Sequence, residues 1–266
     1  LARTDTAARR AIRLDSASAA AYTALGDMYR QQGRVEEAEK SFRKAIELNP
    51  GYDTAHHWLA DLLMQSLKGE EALREIDIAE SLDPVAPAIV AEKAQALMML
   101  GRYPDAEEWL DHATELLPDS PLLRAWATWF YAILGRWDRA AEHFGRVFEL
   151  EGQDPDAIAR ASAGLRDPTR REAFLRLIAD GRFAETGLRN GAGAEGMGGV
   201  HFRFVATRIL DGDDRAMDLL EEMASGPKVS TIYVPVLPAL MGPELTATPR
   251  ARRLMERLAL RDVGGG

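Results

Sequence analysis

The sequence repeats itself with a period of 34 residues. The segments ELNP, SLDP and ELLP end at Pro50, Pro84 and Pro118, and both intervals between these prolines are 34 residues. Three other series of residues keep the same step: Ala38, Ala72, Ala106 and Ala140; Phe42, Ile76, Leu110 and Phe144; and Ala45, Ala79, Ala113 and Val147. A period of this length indicates supersecondary units that stack on one another, because no single unit can bury its own apolar face.

Within one period, the apolar pattern predicts two helices. Tyr22, Leu25 and Tyr29 recur at three- and four-residue steps, which is the spacing of one helical face. After a predicted turn at Gly33, a second face follows in Val35, Ala38, Phe42, Ala45 and Ile46. Pro50 lacks the amide that a continuing helix would use, so the chain is expected to turn there into the next unit. Small residues such as Gly26 are expected to let the paired helices approach closely.

The stretch ALGDMYRQQGRVEEAEKSFRKAIELNP resembles a tetratricopeptide repeat. It matches the Leu-Gly, Tyr, Gly, Ala, aromatic, Ala and Pro positions of that family in register. The resemblance implies an all-α fold, a right-handed superhelical array of antiparallel helix pairs (a solenoid) with a helical C-terminal cap. It also implies a non-enzymatic scaffold for protein–protein interaction, in which the first helix of each pair lines a concave groove.

The repeats define the predicted domain organisation. Residues 1–154 are predicted to form the array, as a half repeat followed by repeats at 19–52, 53–86, 87–120 and 121–154. A degenerate helical repeat is expected at 155–184, a Gly-rich linker at 185–200 and a C-terminal helical capping region at 201–263. The chain begins at Leu1 and in the middle of a repeat, so we expect it to be a piece of a longer protein.

Composition and charge restrict the partners. The chain has 33 basic and 42 acidic residues, a net charge of −9, which disfavours wholesale binding to nucleic acid. Two groups of arginines are expected to be solvated faces that pair with acids: Arg166, Arg170, Arg171 and Arg176; and Arg250, Arg252, Arg253 and Arg257. No segment approaches the roughly 20 apolar residues of a membrane-crossing helix, so membrane insertion of this segment is not expected. With no cysteine, disulfides and thiolate chemistry are excluded, but the compartment stays open between cytoplasm and periplasm.

Two further segments suggest a cellular context. PGYDTAHHWLADLL and PRARRLMERLAL are similar to the repeat-containing tails of bacterial signalling and transcriptional regulators. That group carries its enzymatic or DNA-binding modules elsewhere in the chain. The resemblance therefore implies a part of a larger bacterial regulator and assigns no activity to these residues.

The adjacent histidines in AHHWLAD are the strongest hint of chemistry. On a helix, His56 is expected to pack against the preceding repeat, whereas His57 and Asp61 are expected on one face, one turn apart. Asp27 of the preceding repeat could add a third group. Two ligands rarely hold a metal without a third, so an enzyme or metal-binding protein centred on His57 and Asp61 is the alternative to a scaffold.

A second motif, GAGAEG at residues 191–196, satisfies the dinucleotide pattern Gly-x-Gly-x-x-Gly. That chemistry needs a strand before the glycines and a helix start after them. The preceding RFAETGLRN does not read as a strand, so we predict a connector and expect no cofactor.

The groove residues give the site prediction. The inner face is defined here by three positions of each first helix: Thr23, Asp27 and Arg30; His57, Asp61 and Met64; Glu92, Gln95 and Met98; and Trp126, Trp129 and Ile133. We expect these positions to be exposed and to bind a peptide or helix of a partner protein. The predicted partner-binding residues are Asp27, Arg30, His57, Asp61, Met64, Gln95, Met98, Trp126 and Trp129.

Two alternatives to this site prediction remain open. The C-terminal segment, or packing between repeats, could bury Trp126 and Trp129, which would remove the apolar anchors from the groove. The partner could also be a second copy of the chain, in which case the tryptophan-rich end would serve self-assembly.

Overall fold

A computed structural model of the chain describes residues 2–188, 200–225 and 237–261. Within these ranges the regular structure is fifteen α-helices and one 3₁₀ turn, with no strand. The all-α fold class predicted from the period is therefore confirmed.

Helices α1 to α9 follow the predicted repeats. Helix α1 (Ala2–Leu14) is the lone helix of the half repeat. The next eight helices form four consecutive pairs: α2 (Ala19–Gln31) and α3 (Val35–Leu48); α4 (Asp53–Gln65) and α5 (Gly69–Leu82); α6 (Pro87–Met99) and α7 (Tyr103–Leu116); α8 (Pro121–Ile133) and α9 (Trp137–Leu150). Each predicted repeat thus contains one pair of helices.

Six further helices lie beyond the repeats. They are α10 (Pro155–Arg166), α11 (Pro168–Ala179), α12 (Val200–Asp211), α13 (Asp213–Ser225), α14 (Leu237–Thr246) and α15 (Pro249–Arg261), and a 3₁₀ turn (Phe183–Thr186) follows α11. Prolines open α10 and α11, where the missing amide costs nothing, and Asp154 and Asp167 cap their first turns. Thr248 caps α15, since its hydroxyl accepts a hydrogen bond from the amide of Ala251 at 3.1 Å.

Left-handed residues join the two helices of each pair. Gly33, Gly101 and Gly135 adopt φ of +65°, +72° and +69°, a conformation that glycine reaches without steric cost. In the second repeat the same role falls to Leu67, whose φ is +59°. A side chain in this region is strained, so the turn of the second repeat is stabilised by the packing around it rather than by its own preference.

Close packing within a pair explains the small residues of the period. A Cβ atom added at Gly26 would lie 2.6 Å from the ring of Phe42, which is fully buried. Only a residue without a side chain allows α2 and α3 to approach this closely. The prediction that small residues set the spacing of the paired helices is confirmed at this position.

The described residues form two compact units. The first contains the chain up to Glu107 together with α14 and α15, and the second runs from Glu108 to the end of α13. In the first unit, α14 packs against α6; in the second, α12 packs against α8, α11 and α13. The four helices of the predicted capping region at 201–263 are thus divided between the two units.

Parts of the predicted connectors lie outside the described residues. These parts are residues 189–199 of the Gly-rich linker, which include the GAGAEG motif, and residues 226–236 before α14. The segment VSTIYVPVLPAL, predicted to be extended or short-helical, is described only from Leu237, where α14 begins.

Candidate functional site

His56 is a buried structural residue. Its Nδ1 lies 2.7 Å from Oε2 of Glu75 on α5, and its Nε2 lies 3.1 Å from the carbonyl oxygen of Pro50. The hydrogen bond that the His56 ring donates to Glu75 raises the pKa of His56 against the opposing effect of burial. Both ring nitrogens of His56 are therefore paired.

His57 points to the inner face and contacts the next repeat. Its Nε2 lies 2.7 Å from Oε1 of Glu92 on α6. Burial lowers the pKa of His57 and raises the pKa of Glu92 well above the usual value of a carboxyl, so burial favours the neutral form of each group. Asp61 interacts with both groups. Its negative charge raises the pKa of His57, and its hydrogen bond with Glu92 lowers the pKa of Glu92.

Asp27 does not join this group as a third metal-type ligand. Its carboxylate accepts hydrogen bonds from Arg30 at 2.8 Å and from Gln31 at 2.8 Å. Asp27 therefore does not complete a metal site with His57 and Asp61. Among the residues that the structure describes, no three His, Asp or Glu side chains converge on a possible metal position.

Most of the predicted inner face is buried, which corrects the expectation of an open groove. The buried members are Thr23, Asp61, Met64, Glu92, Gln95, Met98, Trp126 and Trp129. Helices outside the repeats pack on two of the four first helices, α14 on α6 and α12 on α8. Whether these residues contact a partner is not decided by their burial here and stays a prediction.

Trp126 and Trp129 belong to the core of the second unit. They are 2% and 5% exposed, and their rings contact each other edge to face with centroids 4.8 Å apart. The packing of α12 on α8 places the buried side chains of Phe202, Phe204 and Val205 in the same unit. The alternative in which packing within the chain removes the tryptophans from the surface is the one observed.

The accessible part of the predicted inner face comprises Asp27, Arg30 and His57 on α2 and α4, and Ile133 on α8, each of which is half-buried. Trp58, beside the first three, is also half-buried. The guanidinium of Arg30 lies 4.8 Å from the centroid of the Trp58 ring, and the His57 ring stacks on the same indole at 5.0 Å. We call Asp27, Arg30, His57 and Trp58 the α2–α4 patch. It combines a cation, an aromatic plane, an imidazole and a carboxylate on one surface.

Trp58 was not among the predicted inner-face positions, and Glu92 was one of them but not among the predicted partner-binding residues. They are 34 residues apart, as are Glu92 and Trp126, so one repeat position holds all three. This position meets the preceding repeat, since Glu92 contacts His57 and Trp58 contacts Arg30. The 34-residue period itself places Trp58 and Glu92 at the same repeat position as Trp126, and this signal identifies both residues.

A second polar network lies in the second unit. The ring of the buried His143 stacks on Tyr131 with centroids 5.5 Å apart, and its Nδ1 accepts a hydrogen bond from Arg124 at 3.2 Å. Tyr131 donates its hydroxyl hydrogen to Asp111 at 2.7 Å, and Arg139 lies over the Tyr131 ring at 4.3 Å. Burial, together with the charges of Arg124 and Arg139, lowers the pKa of His143 to about 4.

A cavity of about 670 Å³ lies in the first unit between repeat turns and the C-terminal helices. Its lining comes from the α4–α5 and α6–α7 turns and from α14 and α15, and includes Leu67, Leu100, Pro243 and Met255. The side chains of His57, Asp61 and Glu92 do not line this cavity. It lies where the C-terminal helices pack on the turns of the repeats.

The arginine groups predicted to be solvated faces are only partly of that kind. Arg170 pairs with Asp167 at 3.3 Å, and Arg176 pairs with Asp211 at 2.8 Å. Arg171 instead donates hydrogen bonds to the carbonyl oxygens of Leu165 and Arg166, and Nε and Nη2 of Arg257 are buried without a hydrogen-bond partner among the described residues. None of the helices in the described part of the chain combines the length and the apolar character needed to span a bilayer.

Comparisons with known proteins agree with this architecture. Family models for the tetratricopeptide repeat match residues 26–66 and 59–121. A search of curated proteins gives no match.

Several solved structures share the fold. The pilF protein of Pseudomonas aeruginosa is 23% identical, with 79% of this chain and 91% of that chain covered and a TM-score of 0.51. A tetratricopeptide repeat protein from Parabacteroides merdae is 18% identical, with 89% and 91% covered and a TM-score of 0.57. A chain of the Cut9–Hcn1 hetero-tetramer of APC/C is 18% identical with a TM-score of 0.58; 90% of this chain is covered but only 46% of that one.

At these identities the structural likeness concerns the fold, and the family models identify the repeats. Both agree with the helix pairs and the 34-residue step described above. Residues 26–121 therefore match the tetratricopeptide repeat, and the chain shares the all-α fold of antiparallel helix pairs with solved proteins of this repeat class.

Proposed function

We propose that the chain is a non-enzymatic scaffold that binds a peptide or helix of a partner protein at the α2–α4 patch. Tetratricopeptide repeats indicate a protein–protein interaction scaffold, and the position of the binding surface is the part that we add. The observation that carries the proposal is the Arg30–Trp58 stack, which stays partly accessible while the inner-face positions of α6, and Trp126 and Trp129 of α8, are buried.

The chemistry of the patch suits a protein partner. Arginine and tryptophan are enriched among the residues that contribute most to binding free energy, because they bury large rigid areas with little loss of side-chain freedom. Asp27 already fixes the guanidinium of Arg30 through two hydrogen bonds, at 2.8 Å and 3.2 Å. A partner would therefore meet a pre-ordered surface, which lowers the entropic cost of binding.

The cellular context is part of the same proposal. The similarity of two segments to the repeat tails of bacterial regulators supports a docking role within a larger signalling protein. A partner that is a second copy of the chain is distinguished by light scattering at two concentrations, because only self-association makes the molar mass rise with concentration.

Site-specific photo-crosslinking tests the position of the surface. A photoreactive amino acid is placed at Asp27 or His57 in the patch, and at Lys40 or Arg74, which are exposed on the second helices α3 and α5. We expect one protein of defined mass to crosslink from the two patch positions only, and to bind the purified chain with defined stoichiometry. Equal crosslinking from Lys40 and Arg74 would contradict the proposal.

A further inference from the structure

The turn of the second repeat reverses the residue pattern of the other three. At the left-handed position of this turn, repeats one, three and four have glycine, whereas the second repeat has Leu67. Two residues later, the second helix begins with Val35, Tyr103 or Trp137 in those repeats but with Gly69 in the second. The leucine adds backbone strain and the glycine gives up apolar contact, so neither exchange favours the turn itself.

Both exchanged residues line the cavity of about 670 Å³ in the first unit. A Cβ atom at Gly69 would lie 2.9 Å from Cδ2 of Leu100 and 3.4 Å from Cε of Met99, so the missing side chain leaves room for these two residues in the same wall. Leu67 is the one residue other than glycine with a positive φ in the described ranges. Strained backbone of this kind is concentrated at binding sites, where the side chain that it positions has a use.

The cavity has the size and lining of a small-molecule site. Such sites have volumes of roughly 300–1,000 Å³ and mostly apolar walls. Apolar side chains at this cavity include Met99 and Met255, whose flexible thioethers adapt to the shape of a ligand. The hydroxyls of Ser66 and Thr246 each donate to a backbone carbonyl oxygen four residues earlier at 2.8 Å, so they do not offer these hydrogens to a ligand.

Arg252 supplies a positive charge at the edge of the cavity. It lines the cavity and is exposed, and no ion pair or hydrogen bond joins its guanidinium to another residue in the part of the chain that the structure describes. Glu256, one turn later, is the acid of the lining. The sequence of α15, PRARRLMERLALR, has five arginines and this one acid, so its electrostatic field favours an anion at this edge.

We propose that the cavity of the first unit binds a small amphiphilic carboxylate, a molecule with an apolar chain and one carboxylate head group, such as a fatty acid. The apolar chain packs against Leu67, Met99 and Met255, and the head group accepts charge-assisted hydrogen bonds from Arg252. No residue of the α2–α4 patch lines this cavity, so the site is independent of the proposed binding of a protein partner.

Titration calorimetry of the full chain with decanoate tests the ligand class. Decyltrimethylammonium, which has the same chain length and a cationic head, is the comparison, and both are used below the concentration at which they form micelles. We expect saturable binding of one decanoate per chain, and binding of decyltrimethylammonium that is weaker by about tenfold or more. Absence of saturable decanoate binding, or tighter binding of the cation, would overturn the proposal.

Two pairs of matched variants test the position of the site. Ala247→Trp fills the cavity from an exposed position of its lining, and Ala88→Trp adds the same side chain at an exposed position outside it. Arg252→Gln removes the proposed head-group contact, and Arg253→Gln removes a charge from the next, exposed residue. The first member of each pair should weaken decanoate binding about tenfold while the second leaves it unchanged. Equal effects within both pairs would place the bound decanoate elsewhere and overturn the site.

Leu67→Gly separates a binding role of this residue from a packing role. The substitution restores the glycine of the other turns, so it relieves the strain and removes one apolar contact of the proposed ligand. We expect decanoate to bind about fivefold more weakly, with no decrease in the urea concentration at the midpoint of unfolding. A lowered midpoint with unchanged decanoate affinity would show that Leu67 serves packing alone and would contradict its place in the site.

Discussion

His56 and His57 are adjacent in the chain but have different environments. His56 is enclosed between a carboxylate and a carbonyl oxygen, and its pKa is raised, whereas burial lowers the pKa of His57 next to Glu92. The 100° step between neighbouring residues of a helix explains the difference, because it directs one ring into the helix pair and the other to the inner face. His56 therefore contributes to packing within the helix pair, whereas His57 belongs to the partly accessible inner face.

The buried tryptophans give a stability prediction. Trp126→Ala removes a side chain that is 2% exposed, so we expect it to lower the free energy of unfolding by about 3–5 kcal/mol. Urea denaturation measures this loss. Trp109→Ala, at a half-buried position on α7, is the matched control and should cost clearly less. A loss below about 1 kcal/mol for Trp126→Ala would contradict the packing described for α8.

His143 gives a pH prediction. Its pKa is about 4 in the folded chain, compared with about 6.5 in an unfolded one, so the unfolded chain binds more protons between these values. The stabilisation by neutral His143 is complete above pH 6.5 and is lost as the pH falls towards 4. The shift corresponds to about 3 kcal/mol.

Urea unfolding at pH 7 and pH 4.5 checks this contribution. The variant His143→Gln keeps an acceptor for Arg124 but does not titrate, so it should lose less stability than the native chain over this interval. The same loss in both proteins would show that the acid sensitivity comes from other groups.

Helix α14 is held at the turn between α6 and α7. A Cβ atom at Gly101 would lie 2.9 Å from Cγ of Pro243, and one at Gly242 would lie 2.9 Å from the Tyr103 hydroxyl. Both glycines have positive φ, of +72° and +73°. The kink in α14 at Gly242 and Pro243 thus allows close contact with the turn between α6 and α7.

Gly101→Ala tests this contact. The substitution adds a clash with Pro243 to the strain of a positive φ, so we expect it to lower stability by at least about 1 kcal/mol more than Gly152→Ala. Gly152 has a similar φ of +65° with no atom within 4 Å of an added Cβ, so it isolates the backbone effect. Hydrogen exchange of the α14 amides should also accelerate in Gly101→Ala alone. Equal effects of the two substitutions would show that the turn does not hold α14.

The helices could be predicted from the sequence, but the burial of most inner-face positions could not. The 34-residue step and its glycines and prolines specify each pair, because these contacts lie within about one period of the chain. The docking of α14 on α6 joins residues more than a hundred positions apart, and no repeat signal encodes it. For this reason the apolar inner-face residues Met98, Trp126 and Trp129 were expected to be exposed, and they are buried.

The molecule as a whole combines a repeat scaffold with helices that cover part of its own inner face. Each of the two units contains one such contact, α14 on α6 in the first and α12 on α8 in the second. Apart from Ile133 on α8, the predicted inner-face positions that remain accessible belong to the α2–α4 patch, at the first two repeats. A repeat scaffold acts through the surface that it presents, so a partner is expected to meet this patch first.

The affinity of the crosslinked partner for Trp58→Ala tests this account most directly. Isothermal titration calorimetry compares the native chain, Trp58→Ala and Trp109→Ala, which is another half-buried tryptophan but lies on a second helix of a repeat. Trp58→Ala is predicted to weaken binding about tenfold or more while Trp109→Ala leaves it unchanged. Equal affinity of the native chain and Trp58→Ala would contradict a binding surface at the first two repeats.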